Sequence, residues 1–198
     1  MKKPPKLIYL DYAATTPVDS IVLKAMQPYW SQDFANPSAL YKSGQDAARA
    51  ITEARVNIAE VLNAKSSEIL FTAGGTESNN LAILGMAKAY QHAHGKPGHI
   101  ITTPIEHHSV LHAVEALKEW GWKISFAPVD KEGFVDLEAL KKLAKKDTAL
   151  VSIMYANNEI GTLQPVKEIG RAIEEWKKEH GRTHTGYPYF HIDACQAG

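Results

Sequence analysis

ALVSIMYANNEIGTLQP, residues 149–165, opens with an almost unbroken apolar run from Ala149 to Tyr155. A run of that kind predicts a strand buried on both faces, the habit of parallel sheets covered by helices, whereas a sheet with one wet side alternates apolar and polar residues. The run ends abruptly in Asn157-Asn158-Glu159 and a Gly161 turn. Pro165 then starts a helical stripe of Val166, Ile169, Ile173 and Trp176. Strand, polar tip and helix make one unit of an α/β fold.

The same unit recurs in both directions. HIITT (99–103), KISFAPV (123–129) and YFHID (189–193) read as further strands, and Ile69-Leu70-Phe71 as a short one ending at Thr72. Between them lie helical patterns over residues 76–90, at Val110, Val114 and Leu117 up to Gly121, and at Leu137, Leu140 and Ala144. Earlier in the chain, Thr16-Pro17 reads as a cap followed by proline at the first helical position, which predicts a helix over 17–30. Ile51, Ala54, Ile58, Val61 and Leu62 mark another over 44–62. Strands alternating with helices predict a three-layer α-β-α architecture around a mainly parallel sheet.

The chain has 198 residues, 44% of them hydrophobic, enough for a globular core. Lys plus Arg and Asp plus Glu are both 22, so there is no electrostatic footprint for nucleic acid or an anionic membrane. One cysteine, Cys195, rules out an internal disulfide framework and fits a reducing compartment. The apolar start, Leu7 to Leu10, is too short for a signal sequence and ends at Asp11. No run reaches the ~18 apolar residues of a membrane span. The expectation is a soluble cytoplasmic protein.

In parallel sheets ligands collect beyond the carboxyl ends of the strands. FTAGGTESNNLA (71–82) runs from strand through a glycine turn into a helix. Free N–H groups and the helix dipole there suit a phosphate, with Gly74 and Gly75 allowing close approach and Thr76 adding a hydroxyl. The plainer alternative is an ordinary turn capped by Thr76, with Asn79 and Asn80 exposed. PIEHHSVLHAV (104–114) holds three histidines. His108 and His112 are four apart, but no third ligand stands at a metal-site spacing, so no metal is expected. His107, at the loop-to-helix junction, can lie against an aromatic ligand or move a proton. Asn157 and Asn158 either cap the Pro165 helix or reach a ligand's polar substituent. Asp193, at the tip of the last strand, needs a cationic partner if buried, and no lysine or arginine adjoins it in sequence. A protonated pyridine nitrogen would serve. Cys195 has no neighbouring His or Lys to make it a thiolate and is not read as a nucleophile.

YLDYAATTPVD (9–19), NPSALYKSGQDAARAITEAR (36–55), ILFTAGGTESNNLAI (69–83), HIITTPIEHHSVL (99–111), LVSIMYANNEIGTLQP (150–165) and HIDACQA (191–197) occur in that order. Together they resemble cysteine desulfurases of the NifS/IscS type, pyridoxal-phosphate enzymes of the class V aminotransferase group with fold type I. The resemblance implies pyridoxal 5'-phosphate as cofactor. Gly75 and Thr76 would hold its phosphate, and His107 would stack on the ring and act as acid or base. Asn158 would approach the ring hydroxyl and the substrate, Asp193 would pair with the ring nitrogen, and Gln196 would contact the ring oxygen. It further implies L-cysteine as substrate and L-alanine as product. Sulfur would leave as an enzyme persulfide for iron–sulfur cluster or thio-cofactor synthesis, with a scaffold or sulfur-acceptor protein as partner and a homodimer as the working form.

The resemblance covers the first half of a family member. The cofactor-holding lysine of the family follows a histidine, and none of the 18 lysines here does. The persulfide-forming cysteine, the last strands of the large sheet and the small domain are also expected to be absent. The expected organisation is therefore an N-terminal arm, residues 1–16, followed by a partial large domain, 17–198. Four strands would remain in one sheet, with the Ile69–Thr72 segment unpartnered and an open apolar edge. The chain alone is expected to be inactive. Two alternatives stay open. One is a non-catalytic half-site completed by another polypeptide. The other is a selenocysteine lyase or another class V aminotransferase-type enzyme.

Overall fold

The computed structural model describes residues 8–184 and 186–197. The first seven positions of the expected N-terminal arm lie outside the described residues. The chain divides into two compact units, Met1–Phe71 and Thr72–Gly198.

The first unit is helical. Helices α1 (Ser20–Met26), α2 (Pro28–Ser31) and α3 (Lys42–Val61) are followed by a 3-10 turn, Ser66–Glu68. The single helix expected over 17–30 is two pieces. Asp19, not Thr16, is the cap of α1, its carboxylate accepting from Ile21 N at 2.7 Å. Pro28 then starts α2, because it has no N–H to continue the ladder of α1. The strand expected at Ile69–Phe71 does not form. A strand exists only by pairing, and here the Ile69 carbonyl is taken by the Arg55 guanidinium, which also stacks on Phe71 at 4.9 Å. The apolar stripe of α3 stays largely open, with Val61 86% exposed.

The second unit carries helices α4 (Gly75–His94), α5 (His108–Glu119), α6 (Leu137–Leu143) and α7 (Val166–Glu179). Interleaved with them are strands β1 (His99–Thr102), β2 (Lys123–Phe126), β3 (Thr148–Ser152) and β4 (Tyr189–His191). All pairings are parallel, in the order β2-β1-β3-β4. The ALVSIMY run lies in the interior of the sheet, and every residue of β3 is buried. Its neighbours on opposite faces build separate layers. Ile100 and Leu150, paired in register, pack with Ile83, Ala87, Val110, Val114 and Leu117 of α4 and α5. Ile101 and Val151, one residue on, pack with Leu140, Ile169 and Ile173 of α6 and α7. The period-two alternation of side chains thus sends alternate positions into two cores, each fully buried aliphatic side chain contributing about 1.5–3 kcal/mol. This is the α-β-α sandwich expected.

Helix α4 ends at Gly95, whose φ of +67° suits the left-handed cap that a side chain would strain. His99 crosses the sheet, its Nδ1 bonded to Thr148 Oγ1 and its Nε2 to Ser125 Oγ, each at 2.8 Å. Burial, with Lys145 nearby, pushes it down to about 4, so it is a neutral core residue. Among the described residues no helix is long and apolar enough to cross a membrane.

Candidate active site

The carboxyl ends of β1, β3 and β4 and the amino end of α4 meet within the second unit. At α4 the first ladder bond is Ser78 N to Gly74 O at 3.1 Å. The N–H groups of Gly75, Thr76 and Glu77 therefore precede the ladder and are free to bind an anion. Gly74 is the cap of this helix, not Thr76, which lies in its first turn. The cleft over Ala73, Gly74, Gly75, Thr76, Glu77 and Asn80 is about 510 Å³. The Glu77 carboxylate folds back onto Ala73 N at 2.6 Å.

Gly75 packs closely against the loop after β4. A Cβ there would lie 2.5 Å from Cys195 Sγ. The contact brings the loop after β4 against the start of α4, and with it Asp193. This carboxylate is 6% exposed. Its Oδ2 accepts from Asn79 Nδ2 at 2.8 Å and its Oδ1 from Cys195 N at 3.1 Å. Burial alone would raise the Asp193 carboxyl, but hydrogen bonds from the Cys195 thiol and N–H and from Asn79, with His191 nearby, outweigh it and hold it below its usual value. Among the described residues Asp193 makes no ion pair. Burial and the same carboxylate push the Cys195 thiol up to about 11, which keeps it a thiol, in line with its reading as a non-nucleophile.

His107 caps α5, its Nδ1 accepting from Ser109 N at 3.1 Å and lying 2.8 Å from Ser109 Oγ. Ser109 Oγ in turn accepts from Asn79 Nδ2 at 2.8 Å. A continuous polar chain therefore runs from Asp193 through Asn79 and Ser109 to His107. The plainer alternative, with Asn79 and Asn80 exposed, fails: Asn80 is half-buried and Asn79 3% exposed. Its place in the helix was the available signal. Asn79, Ile83, Ala87 and Tyr90 form the buried stripe of α4, and a carboxamide heading an apolar stripe must have buried partners.

Neither asparagine of the β3 loop caps the Pro165 helix, whose start has no side-chain cap. Asn157 holds the loop, its Oδ1 accepting from Glu159 N at 2.9 Å and Ile160 N at 3.0 Å while Nδ2 donates to Ile105 O at 2.9 Å. Asn158 is half-buried, and its Nδ2 donates to Glu159 Oε1 at 3.1 Å. Gln196 is exposed in the turn closed by Ala197 N to Ala194 O, one turn after Asp193. Glu106, which precedes His107 beyond the carboxyl end of β1, is buried beside it and accepts from Thr103 Oγ1 at 2.7 Å and Met154 N at 3.0 Å. His108 and His112 stack on the exposed side of α5 at 5.3 Å, and among the described residues no group of three or more His, Cys, Asp or Glu is placed to hold a metal.

Residues 8–197 match the aminotransferase class-V family. The chain belongs to the aminotransferase class-V family. Among proteins similar to this class-V chain is the cysteine desulfurase IscS of Dictyoglomus turgidum, 49% identical over 189 residues, covering 96% of this chain and 45% of that protein. The cysteine desulfurase IscS of Methanosarcina thermophila is 46% identical over 192 residues, covering 97% of this chain and 44% of that protein. A solved NifS-like protein superimposes with a TM-score of 0.84 at 41% identity, over 94% of this chain and 48% of that one. The structure titled SspA in complex with cysteine gives 0.82 at 39% identity, over 96% and 51%. The fold is that of the large domain of fold type I enzymes. The class-V chain spans about half the length of the curated relatives it matches.

Proposed function

We infer that this chain builds the phosphate- and ring-holding part of a pyridoxal-phosphate cysteine desulfurase. The observation that carries the reading is Asp193. It is a buried carboxylate held below its usual value by hydrogen bonds from Cys195 and Asn79, with His191 nearby and no ion pair among the described residues, in the same cluster as a helix start that suits a phosphate and a histidine that suits an aromatic face. A buried anion without a cation is costly unless a ligand brings the positive charge. A pyridinium nitrogen does so, and the free N–H groups at Gly75 and Thr76 suit the phosphate of the same molecule.

In this reading Gly75 and Thr76 bind phosphate and His107 covers the ring. Asn158 and Gln196 approach the ring oxygen, and Asp193 keeps the ring nitrogen protonated. When bound, the cofactor supplies an electron sink for charge developing at the substrate's α carbon, and a protonated ring nitrogen deepens that sink. L-Cysteine as substrate, sulfur delivery to an acceptor protein and a homodimeric working form follow from the similarity to the desulfurases. No lysine here follows a histidine, so this reading gives no lysine of the 198 residues the role of covalent anchor.

Titration of the chain with pyridoxal phosphate, followed by quenching of tryptophan fluorescence, tests the reading. Saturable, non-covalent binding is expected, weakened about 10- to 100-fold in Asp193→Asn, the range of a hydrogen bond to a charged group. Borohydride reduction and peptide mass analysis are expected to leave no single lysine labelled. Equal binding by Asp193→Asn and wild type sinks the assignment of Asp193 to the ring.

A further inference from the structure

The polar chain from Asp193 to His107 has a direction. Ionised Asp193 only accepts, so the Asn79 amide must turn Nδ2 towards it, at 2.8 Å. The second hydrogen on that nitrogen goes to Ser109 Oγ, also at 2.8 Å. Ser109 Oγ is thereby an acceptor from Asn79, and its own proton is free for His107 Nδ1, 2.8 Å away. Ser109 N–H is aimed at the same ring nitrogen at 3.1 Å. A backbone N–H can only donate, so Nδ1 must hold a lone pair. Two donors thus converge on Nδ1, and the proton of the neutral ring is left on Nε2.

We propose that Asn79 and Ser109 are positioning residues that lock His107 in its Nε2–H tautomer, so that the ring offers a ligand a donor and not a lone pair. The direction is set by Asp193 and handed along two buried side chains, which ties the orientation of His107 to the carboxylate on the far side of the cluster. In this tautomer His107 donates a hydrogen bond from Nε2 and has no lone pair there to accept one. Any base on this side of the site is then another group. What lies opposite Nε2 rests on the function proposed above, whereas the tautomer does not.

Two-bond proton–nitrogen spectra of the ¹⁵N-labelled 198-residue chain, with no ligand added, read the tautomer directly. His107→Gln identifies the His107 signals among those of the nine histidines. The expected wild-type pattern is an unprotonated Nδ1 and a protonated Nε2. Ser109→Ala, which removes one of two donors, is expected to move the Nδ1 signal from its wild-type position. Ser109→Thr, which keeps the hydroxyl, is expected to restore it. Asn79→Ala is expected to move the same signal, and a signal it leaves unmoved overturns the role of Asn79. A proton on Nδ1 in the wild type, or an Nδ1 signal unchanged in Ser109→Ala, overturns the proposal. The wild-type spectrum decides the tautomer even where a variant does not fold. Failure here leaves the pyridoxal phosphate titration standing, and failure of that titration leaves the tautomer standing.

Discussion

At Glu106 a carboxyl 5% exposed is bonded through one oxygen while the other, Oε2, is buried with no hydrogen-bond partner among the described residues. Burial, partly offset by Thr103 and Met154 N, pushes it up from 4.5 to about 7, and Asp193 adds to the rise. In the unfolded chain the group ionises near 4.5, so between the two values the folded state holds the extra proton. Stability from this group is therefore full below the unfolded value and is lost as pH rises towards about 7. Glu106→Gln cannot ionise and keeps an oxygen for Thr103 and Met154 N. Relative to wild type it is expected to gain about 1–3 kcal/mol between pH 5 and pH 8, measured by urea unfolding at each pH. His99 titrates in both proteins and cancels in the difference. A constant difference would show that Glu106 is ionised throughout. The residue scale is also where the sequence was read unevenly. His107 and Asp193 stand at element ends, where a polar side chain after an apolar run asks for a reason. Asn79 and Ser109 lie inside helices, where a polar residue looks like surface until the partners 30 and 114 positions away are known.

The elements that hold the site owe their limits to short side-chain bonds. Asp136 caps α6, its Oδ1 accepting from Glu138 N and Ala139 N at 3.0 Å each. Asp136→Ala is expected to cost about 1 kcal/mol in chemical unfolding without touching the β3 loop. Asn157 does more, since one carboxamide closes its own loop and also ties it to Ile105, in the β1–α5 loop beside His107. Asn157→Ala removes the partner of those part-buried groups, so about 1 kcal/mol is expected, with faster hydrogen exchange at both Glu159 and His107. Exchange that rises in one loop only would separate the two. The strands and helices of the second unit were legible because apolar period and turn residues agree there. The first unit misled for a physical reason. Thr16-Pro17 is a good helix start, but Asp19 is a better-placed cap, and Ile69–Phe71 has strand-forming residues without a strand to pair with.

On the scale of the molecule, the four-stranded sheet ends at β4 in an edge unpaired among the described residues, as the order of strands requires. His191 O accepts from Ile153 N at 3.1 Å and Asp193 O from Tyr155 N at 2.8 Å, so these two residues face β3. By the alternation of a parallel strand, the backbone groups of Phe190 and Ile192 point the other way, outward. Beside that edge lies an apolar groove of about 470 Å³ lined by Met86, Ala89, Leu150, Tyr189 and Phe190, among others. Unpaired N–H and C=O groups next to apolar surface form a template for another strand, and natural edges are often guarded by a charge. None stands here until Asp193, which is turned into the site. Ile192, 37% exposed, is the position where a guard fits. Ile192→Lys is expected to lower concentration-dependent self-association of the 198-residue chain in sedimentation velocity, with unfolding stability changed by no more than about 0.5 kcal/mol, as for surface substitutions. If association is unchanged while the fold persists, the contact lies elsewhere, and the open stripe of α3 in the first unit becomes the surface to probe next.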